Sequence, residues 1–335
     1  MKISVLLRVS AASLLLAASG QYRVTGKIPI GGEGGWDYLT LDGANHRLYV
    51  SHATKVVVVD VDAGKVVGEI PDTQGVHGIA LAPKLNRGYT SNGRANNVTV
   101  FDLKTLRAVK QVTTGQNPDA ILYEPGSNRI FAFNGRSNDA TVINAASETV
   151  AATIPLGGKP EFSVSDGRGK LYVNIEDTHE VVEIDAAKAA VTKRYSLTGC
   201  EDPSGLAMDV SRRRLFSVCA NKVMVVSNPD TGKVIATVPI GEGSDGAGFD
   251  ASEGAAFSSN GEGTLTVVKE QAGKYAAVET VPTQRSGRTM TVDPGTHKIY
   301  IPVAEFGPAP AATASQPRPR PAALPNTFQL LVIGR

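Results

Sequence analysis

The sequence predicts an all-β fold, a seven-bladed β-propeller with four-stranded blades. A short motif, first met as Asn45-His-Arg-Leu-Tyr-Val-Ser51, returns six more times, and its aromatic residue recurs at intervals of 40 to 44 residues. The seven aromatic positions are Tyr49, Tyr89, Phe131, Tyr172, Phe216, Phe257 and Tyr300. A strand-rich repeat of this length is typical of propeller blades.

Each repeat contains four strand signals separated by turns. In the second repeat the apolar or alternating runs cover residues 78–82, 87–91, 98–102 and 108–112. The third strand usually ends at Asp or Asn, as at Asp60, Asp102 and Asp185. Such a side chain accepts hydrogen bonds from backbone N–H groups of the following turn. We therefore interpret these carboxylates as structural.

The two ends of the chain predict closure of the ring. The third strand of the seventh repeat, residues 328–333, has no fourth strand after it, whereas residues 22–30 match the fourth strands at 65–71 and 233–239. The N-terminal strand is therefore expected to complete the last blade, which removes the two exposed edges of an open array.

Residues 1–20 are predicted to be a secretory signal peptide. Lys2 and Arg8 supply positive charge, residues 9–18 are apolar but too short to span a bilayer, and small residues follow. The alternative is a buried N-terminal helix. With the leader removed, residues 21–335 are expected to form one propeller domain, a monomer without a membrane span, in the periplasm or outside the cell.

The charge balance argues against a nucleic-acid partner. The chain has 34 Lys and Arg against 32 Asp and Glu, and two of the basic residues belong to the leader. Nucleic-acid binding needs a concentrated basic stripe, which a balanced chain of this kind lacks.

The two cysteines, Cys200 and Cys219, both fall in the fifth repeat. Antiparallel pairing of that repeat's first two strands brings them to the same end of the blade. We expect a disulfide, as an oxidising compartment permits, and a loop of this size gives about 3 kcal/mol of stabilisation. A pair of free thiols is the alternative.

One segment, residues 304–327, breaks the repeat between the second and third strands of the seventh blade. It is rich in Pro and Ala, a composition that favours extended chain without a core of its own. It is expected either to lie across one mouth of the central channel or to be a surface insertion without such a role.

A ring of polar residues is predicted at that mouth. The residue twelve positions before each aromatic begins the innermost strand of its blade, so the seven are expected to face the channel axis. They are Asp37, His77, Asp119, Pro160, Ser204, Asp245 and Arg288, with Glu161 replacing Pro160 because the turn in that repeat is one residue shorter. Four carboxylates in a narrow space repel one another unless some are protonated or cations lie between them.

Loops after the second strands open on the same face and add further candidates. They supply His52, Asn92, Arg94, Asn134, Arg136 and Glu176, and Trp36 adjoins the ring. In one interpretation Arg94 and Arg136 pair with Asp119 and Glu161, and the ring is a self-neutralised ionic plug. In the other, the ring and loops bind a ligand, because binding groups collect on the loops of a rigid scaffold.

Two kinds of ligand suit these residues. A divalent cation on Asp37, His77, Asp119 and Glu161 is expected to be Ca²⁺, Mg²⁺ or Mn²⁺ ahead of Zn²⁺ or Fe²⁺, because oxygen donors predominate. A small anionic molecule would instead be held by the arginines and His77, with Trp36 stacking on it.

The repeats at residues 56–67, 98–102 and 231–239 are similar to the YVTN-type repeat. With the leader and the seven repeats, the chain resembles the YncE-like family of exported bacterial seven-bladed propellers over residues 21–335. The resemblance implies the fold. The polar residues from Asp37 to Arg288 predict a binding protein that uses one channel face for a small anionic ligand, a metal ion or a protein partner. Related propellers include lactonases, so the alternative is a metal-assisted lactonase-type hydrolase at the same mouth. Fold likeness alone does not decide between these functions.

Overall fold

The computed structural model describes residues 20–311 and 321–335. Within them the chain forms seven antiparallel sheets of four strands each, arranged as the blades of a ring. The predicted all-β, seven-bladed architecture is confirmed. Residues 1–19 of the predicted signal peptide and residues 312–320 of the insertion lie outside the described residues.

The strands of each blade run outward from the channel in chain order. Blade 1 contains β2 Leu39–Asp42, β3 Arg47–His52, β4 Lys55–Asp60 and β5 Lys65–Ile70. Blade 2 contains β6 Val76–Ala82, β7 Arg87–Asn92, β8 Asn97–Asp102 and β9 Ala108–Thr113, with a 3₁₀ turn at Pro83–Leu85. Blade 3 contains β10 Pro118–Glu124, β11 Arg129–Asn134, β12 Asp139–Asn144 and β13 Thr149–Pro155. Blade 4 contains β14 Pro160–Ser165, β15 Lys170–Ile175, β16 Glu180–Asp185 and β17 Ala190–Ser196.

The remaining blades follow the same order until the ring closes. Blade 5 contains β18 Pro203–Asp209, β19 Arg214–Cys219, β20 Val223–Asn228 and β21 Lys233–Pro239. Blade 6 contains β22 Ser244–Asp250, β23 Ala255–Asn260, β24 Thr264–Gln271 and β25 Lys274–Pro282. Blade 7 contains β26 Thr291–Val292, β27 Ile299–Val303, β28 Gln329–Gly334 and, as its outermost strand, β1 Arg23–Pro29.

Strand β1 closes the ring by pairing antiparallel with β28, from Arg23 opposite Gly334 to Pro29 opposite Gln329. The predicted closure by the N-terminal strand is thereby confirmed. No helix in the described part of the chain is long and apolar enough to cross a membrane.

The core lies between the blades and is built from their middle strands. The seven repeat aromatics are all at most 2 % exposed, because each packs between its own blade and a neighbour. In blade 1, strands β3 and β4 are buried along most of their length, whereas the outermost strand β5 alternates between exposed and covered residues. This alternation reflects one face in contact with water.

The turn carboxylates act as interpreted. Oδ1 of Asp60 accepts hydrogen bonds from the N–H groups of Asp62 and Ala63, and Asp102 and Asp185 repeat the arrangement. In the fifth blade Cys200 and Cys219 form a disulfide that ties the segment before β18 to the end of β19.

Replacing a buried side chain at the closure should unfold the ring more readily. Leu331 in β28 is 1 % exposed and packs between β1 and β27, so Leu331→Ala is expected to lower the free energy of unfolding by about 2–5 kcal/mol. Chemical denaturation followed by circular dichroism measures this. The control is Val67→Ala, since Val67 is 43 % exposed on β5 and its loss should change stability by less than about 0.5 kcal/mol. Equal effects of the two substitutions would contradict the closure.

Candidate functional site

The ring residues gather at one end of the central channel. His77, Asp119, Glu161, Ser204 and Asp245 are each the second residue of the innermost strand of their blade. In blades 1 and 7 the innermost strand begins later, so Asp37 and Arg288 precede β2 and β26. Side-chain contacts nevertheless link these two residues to the ring, in the order Asp245, Arg288, Asp37, His77 and Asp119.

Buried polar side chains fix the backbone at the ring positions. Each lies two residues after a repeat aromatic and donates a hydrogen bond to the carbonyl of a ring residue in the next blade. The pairs are Ser91 to Asp119, Asn174 to Ser204 at 2.9 Å, and Ser259 to Arg288 at 2.7 Å. Because these donors are buried, they stay paired, and the ring side chains keep their direction toward the axis.

Asp37 is held from two sides. Its backbone N–H donates to Oγ of Ser51 at 2.8 Å, and its carbonyl accepts from Oγ1 of Thr289 at 2.7 Å. Thr289 belongs to blade 7, so this residue joins the first and last blades at the mouth of the channel.

His77 lies between two carboxylates. Its Nδ1 is 2.6 Å from Oδ2 of Asp37 and 3.7 Å from Oδ1 of Asp119. One donor atom from each of the three residues falls within 4.8 Å of the other two. Oδ1 of Asp119 is buried and accepts no hydrogen bond from the described residues. The three side chains, the acidic trio hereafter, therefore form a pocket of ligand atoms with spare acceptor capacity.

Arg288 contacts Asp37 on the side away from His77. It forms an ion pair with Asp245, and its Nη2 is 3.7 Å from Oδ1 of Asp37. This guanidinium is thus engaged with two carboxylates of the ring.

Glu161 has a different partner from the one considered from the sequence. Nζ of Lys159 is 2.7 Å from Oε1 of Glu161 and also pairs with Glu176. Arg94 and Arg136 are exposed, and among the described residues neither forms an ion pair with Asp119 or Glu161. The ring is therefore not neutralised by the two arginines.

The carboxyl groups of the mouth are short of positive charge. Burial, with the charge of Asp37 added, raises the pKa of Asp119 to about 7. Burial and then the charge of Asp119 raise the pKa of Glu161 to about 9. Burial raises the pKa of Asp245 to about 6, although the Arg288 charge opposes this. Each raised pKa indicates that the ionised form of the carboxyl is disfavoured where these groups converge.

His77 shifts in the opposite sense. Burial by itself would lower its pKa, but the hydrogen bond to Asp37 and the charge of Asp119 outweigh burial and raise the pKa to about 9. At neutral pH the imidazole therefore carries a proton, and this imidazolium is the cation that holds Asp37 and Asp119 together. The pKa of Glu176 is lowered. Burial alone would raise the pKa of this carboxyl, but hydrogen bonds from Glu161 and Lys159 outweigh burial.

Tyr38 reaches across the channel below the ring. It comes from blade 1 and packs on Phe162 of blade 4, on the far side of the channel, with ring centroids 5.0 Å apart. Burial, and then the charge of Asp119, raises its pKa well above the usual range. Beyond it a separate cavity of about 520 Å³ opens at the other end of the channel, lined by apolar residues such as Leu41, Ile79 and Leu122.

Above the ring lies a cleft of about 2010 Å³ with the insertion as one wall. The base of the insertion is a short antiparallel pairing in which Gly307 N–H donates to Ala322 O at 3.0 Å and Leu324 N–H donates to Glu305 O at 2.7 Å. The ring of Trp36 lies 6.0 Å from that of Phe306 and stacks on Phe328 at 4.8 Å. The described part of the insertion thus lies at the mouth.

The predicted loop residues divide into two groups. His52, Asn92 and Asn134 end their strands and are buried; His52 stacks on Phe328, and the two asparagines bond Thr99 and Thr141 within their own hairpins. They support the mouth from below its surface. Of the other candidates, Trp36, Glu176, Ser204, Asp245 and Arg288 line the cleft.

Sequence reasoning missed Lys159, Tyr38 and Thr289. Lys159 and Tyr38 are neighbours of ring positions in the chain, and Thr289 follows Arg288 directly. A window of two residues on either side of each ring position includes all three, but the repeat does not distinguish them from the other residues in that window.

Comparison with known proteins supports the fold alone. No protein-family model matches the sequence, and no match was found among curated protein sequences. Among solved structures, hydrazine synthase from Kuenenia stuttgartiensis is similar with a TM-score of 0.70 at 17 % identity, covering 80 % of this chain and 92 % of that chain. The structure of U3-55K is similar with a TM-score of 0.76 at 8 % identity, covering 94 % and 98 %.

The charge of Asp119 should be measurable on His77. In Asp119→Asn the raised pKa of His77 loses one of its two acidic neighbours, so its titration midpoint is expected to fall from about 9 by about one pH unit. NMR titration of the five histidine rings follows this directly. The control is Asp62→Asn, whose carboxylate is 2.8 Å from His46; it should leave His77 unchanged. A wild-type His77 that titrates near its ordinary value would refute the described ring.

Proposed function

We propose that the protein is an exported binding propeller whose channel mouth takes a divalent cation on the acidic trio. The observation that carries this is the trio itself, in which ligand atoms of Asp37, His77 and Asp119 lie within 4.8 Å of one another. The buried, unpaired Oδ1 of Asp119 adds a free acceptor to it.

The charge balance favours a cation over an anion. The carboxyls of Asp119, Glu161 and Asp245 all have raised pKa values, so added positive charge would relieve their repulsion. Arg288 is already paired with Asp245 and Asp37, and no further arginine reaches the ring among the described residues. A small anion would therefore meet carboxylates before it met a free guanidinium.

The donor set suggests which metal would bind. Two carboxylates and one imidazole suit Mn²⁺, Ca²⁺ or Mg²⁺, which accept oxygen ligands readily, ahead of Zn²⁺ or Fe²⁺. Glu161 does not belong to the compact trio, because its carboxyl is engaged with Lys159 and Glu176. Metal ligation requires the neutral imidazole, so a bound cation would displace the proton of His77.

The cellular setting and the family are part of the same proposal. The Cys200–Cys219 disulfide is compatible with an oxidising compartment, which agrees with the predicted leader and a periplasmic or secreted protein. Membership of the YncE-like family remains an inference from the repeat motif.

Calorimetry on protein dialysed against a chelator tests cation binding. Saturable binding of at least one of Mn²⁺, Ca²⁺ and Mg²⁺ is expected, with affinity that rises as the pH approaches the pKa of His77, about 9, because protons compete less. Asp119→Asn should weaken binding at least about tenfold, which corresponds to about 1.4 kcal/mol.

The matched control is Asp245→Asn, the same chemical change in the same ring but outside the trio. It should weaken binding less than Asp119→Asn does. Absence of binding for every metal, or equal losses in the two variants, would refute the proposed site.

A second candidate is a metal-assisted hydrolase of lactone type. It is favoured by the raised pKa of Glu161, about 9, which keeps a proton on an acid of the same ring. A cation held on the trio would polarise a lactone carbonyl. A ring carboxylate not bound to the cation would accept a proton from the attacking water, and Glu161 would protonate the leaving alkoxide.

A panel of lactones assayed with the metal-loaded protein tests this candidate. Turnover should be lost in Asp119→Asn and in Glu161→Gln and kept in Asp245→Asn. Turnover by the wild type no greater than that of Asp119→Asn would exclude the hydrolase while leaving cation binding to be judged by calorimetry.

A further inference from the structure

The cleft above the ring is a second, separate place for a ligand. None of the three acidic-trio residues lines it, and its volume of about 2010 Å³ exceeds the roughly 300–1,000 Å³ of a typical small-molecule pocket. Its floor is the upper side of the ring, at Ser204, Asp245 and Arg288, and one wall is the base of the insertion.

The charged groups that line the cleft are mostly acidic. The carboxylates are Glu33, Glu176, Asp202, Asp245 and Glu305, and the basic residues are Arg285 and Arg288. Glu176 is paired with Lys159, and Asp245 with Arg288, which also reaches Asp37. Glu33 and Glu305 have no basic partner among the residues that the structure describes. The described lining of the cleft therefore carries more negative than positive charge, which favours cations.

The insertion wall is apolar and partly aromatic. Phe306 is 42 % exposed and Leu324 is 41 % exposed, and both border the cleft, as does Trp36. Phe306 pairs with Ala323 across the base of the insertion, so Leu324 lies on the opposite face of this pairing, and Phe306 is the residue that lies beside Trp36. Apolar side chains that are grouped and exposed on the wall of a cleft often mark a binding site, because a bound ligand removes them from water.

A cleft lined by both aromatic side chains and carboxylates is suited to one class of ligand. The face of an aromatic ring attracts a positive charge, and a nearby carboxylate adds a second attraction to the same charge. An inorganic cation would use the carboxylates but leave Phe306 exposed, because a hydrated metal ion has no apolar surface. We propose that the cleft binds an organic ammonium ion with an apolar or aromatic body, which lies on Trp36 and Phe306 while its amine is attracted by the carboxylates of the same lining.

The chain contains a suitable reporter, since Trp36 is its only tryptophan. We would titrate chelator-treated protein with three probes that share a phenyl body: phenethylamine, 2-phenylethanol and 3-phenylpropionate. Trp36 fluorescence follows binding, and calorimetry in parallel detects binding that leaves the fluorescence unchanged. Phenethylamine is expected to bind at least about tenfold more tightly than the alcohol, with the carboxylate weakest, and to weaken as salt is added.

Two variants separate the parts of the cleft. Phe306→Ala should weaken phenethylamine binding by about five- to thirtyfold. Glu305→Gln, at an exposed position, should narrow the preference for the amine over the alcohol. The control is Val109→Ala, which removes a side chain that is 49 % exposed on the outer strand β9; it should change nothing.

The experiment also separates this site from the trio. Asp119→Asn should keep amine binding in the presence of chelator, and Phe306→Ala should keep metal binding. Equal affinity for amine and alcohol, tighter binding of 3-phenylpropionate, or no binding of the amine by either method would overturn the assignment, whatever the metal titrations show.

Discussion

Hydrogen bonds from the second strand of one blade to the innermost strand of the next set the geometry of the channel mouth. Ser91, Asn174 and Ser259 each donate to the backbone carbonyl of a ring residue across a blade boundary. These side chains are fully buried, so a lost partner would leave a polar group unsatisfied at a cost of about 1–3 kcal/mol. The same bonds that fix the angle between blades therefore also direct the functional side chains toward the axis.

The convergence that this geometry imposes creates the electrostatic character of the site. Innermost strands that meet at an axis bring their first side chains together whatever their charge. Here these side chains are chiefly carboxyl groups. Their negative charge is partly balanced by Arg288 on one side of the ring, by Lys159 on the other, and by a protonated His77 between Asp37 and Asp119. The balance is local and incomplete, as the raised pKa of Asp119 shows.

The fold was predictable because propeller blades repeat one structural solution. A buried aromatic such as Tyr49 recurs at the same place in every blade, so its spacing reports blade length, and a constant offset from it marks the ring positions. Contacts between side chains are less predictable, because they depend on rotamers and on neighbours in other blades. Lys159 reaches Glu161 where Arg136 had been considered, and Tyr38 spans the channel, although nothing in the repeat distinguishes either residue. Strand-end residues such as Asn92 are polar and look like loop ligands, but their hydrogen bonds lie within their own hairpin.

The pairing of β1 with β28 also has a consequence for the order in which the protein assembles. Thr25 in β1 donates to the carbonyl of Val332, 307 residues further along the chain. Six blades are made of consecutive strands and can form as they leave the ribosome. Strand β1 precedes the other strands of the propeller in the chain and has no partner until β28 has appeared. It must therefore stay unpaired, with one apolar face in water, throughout that interval. Exposed and covered residues alternate along β1, and Lys27 is on the solvent-facing side. A charged residue there disfavours pairing of the free strand with other chains before β28 is available.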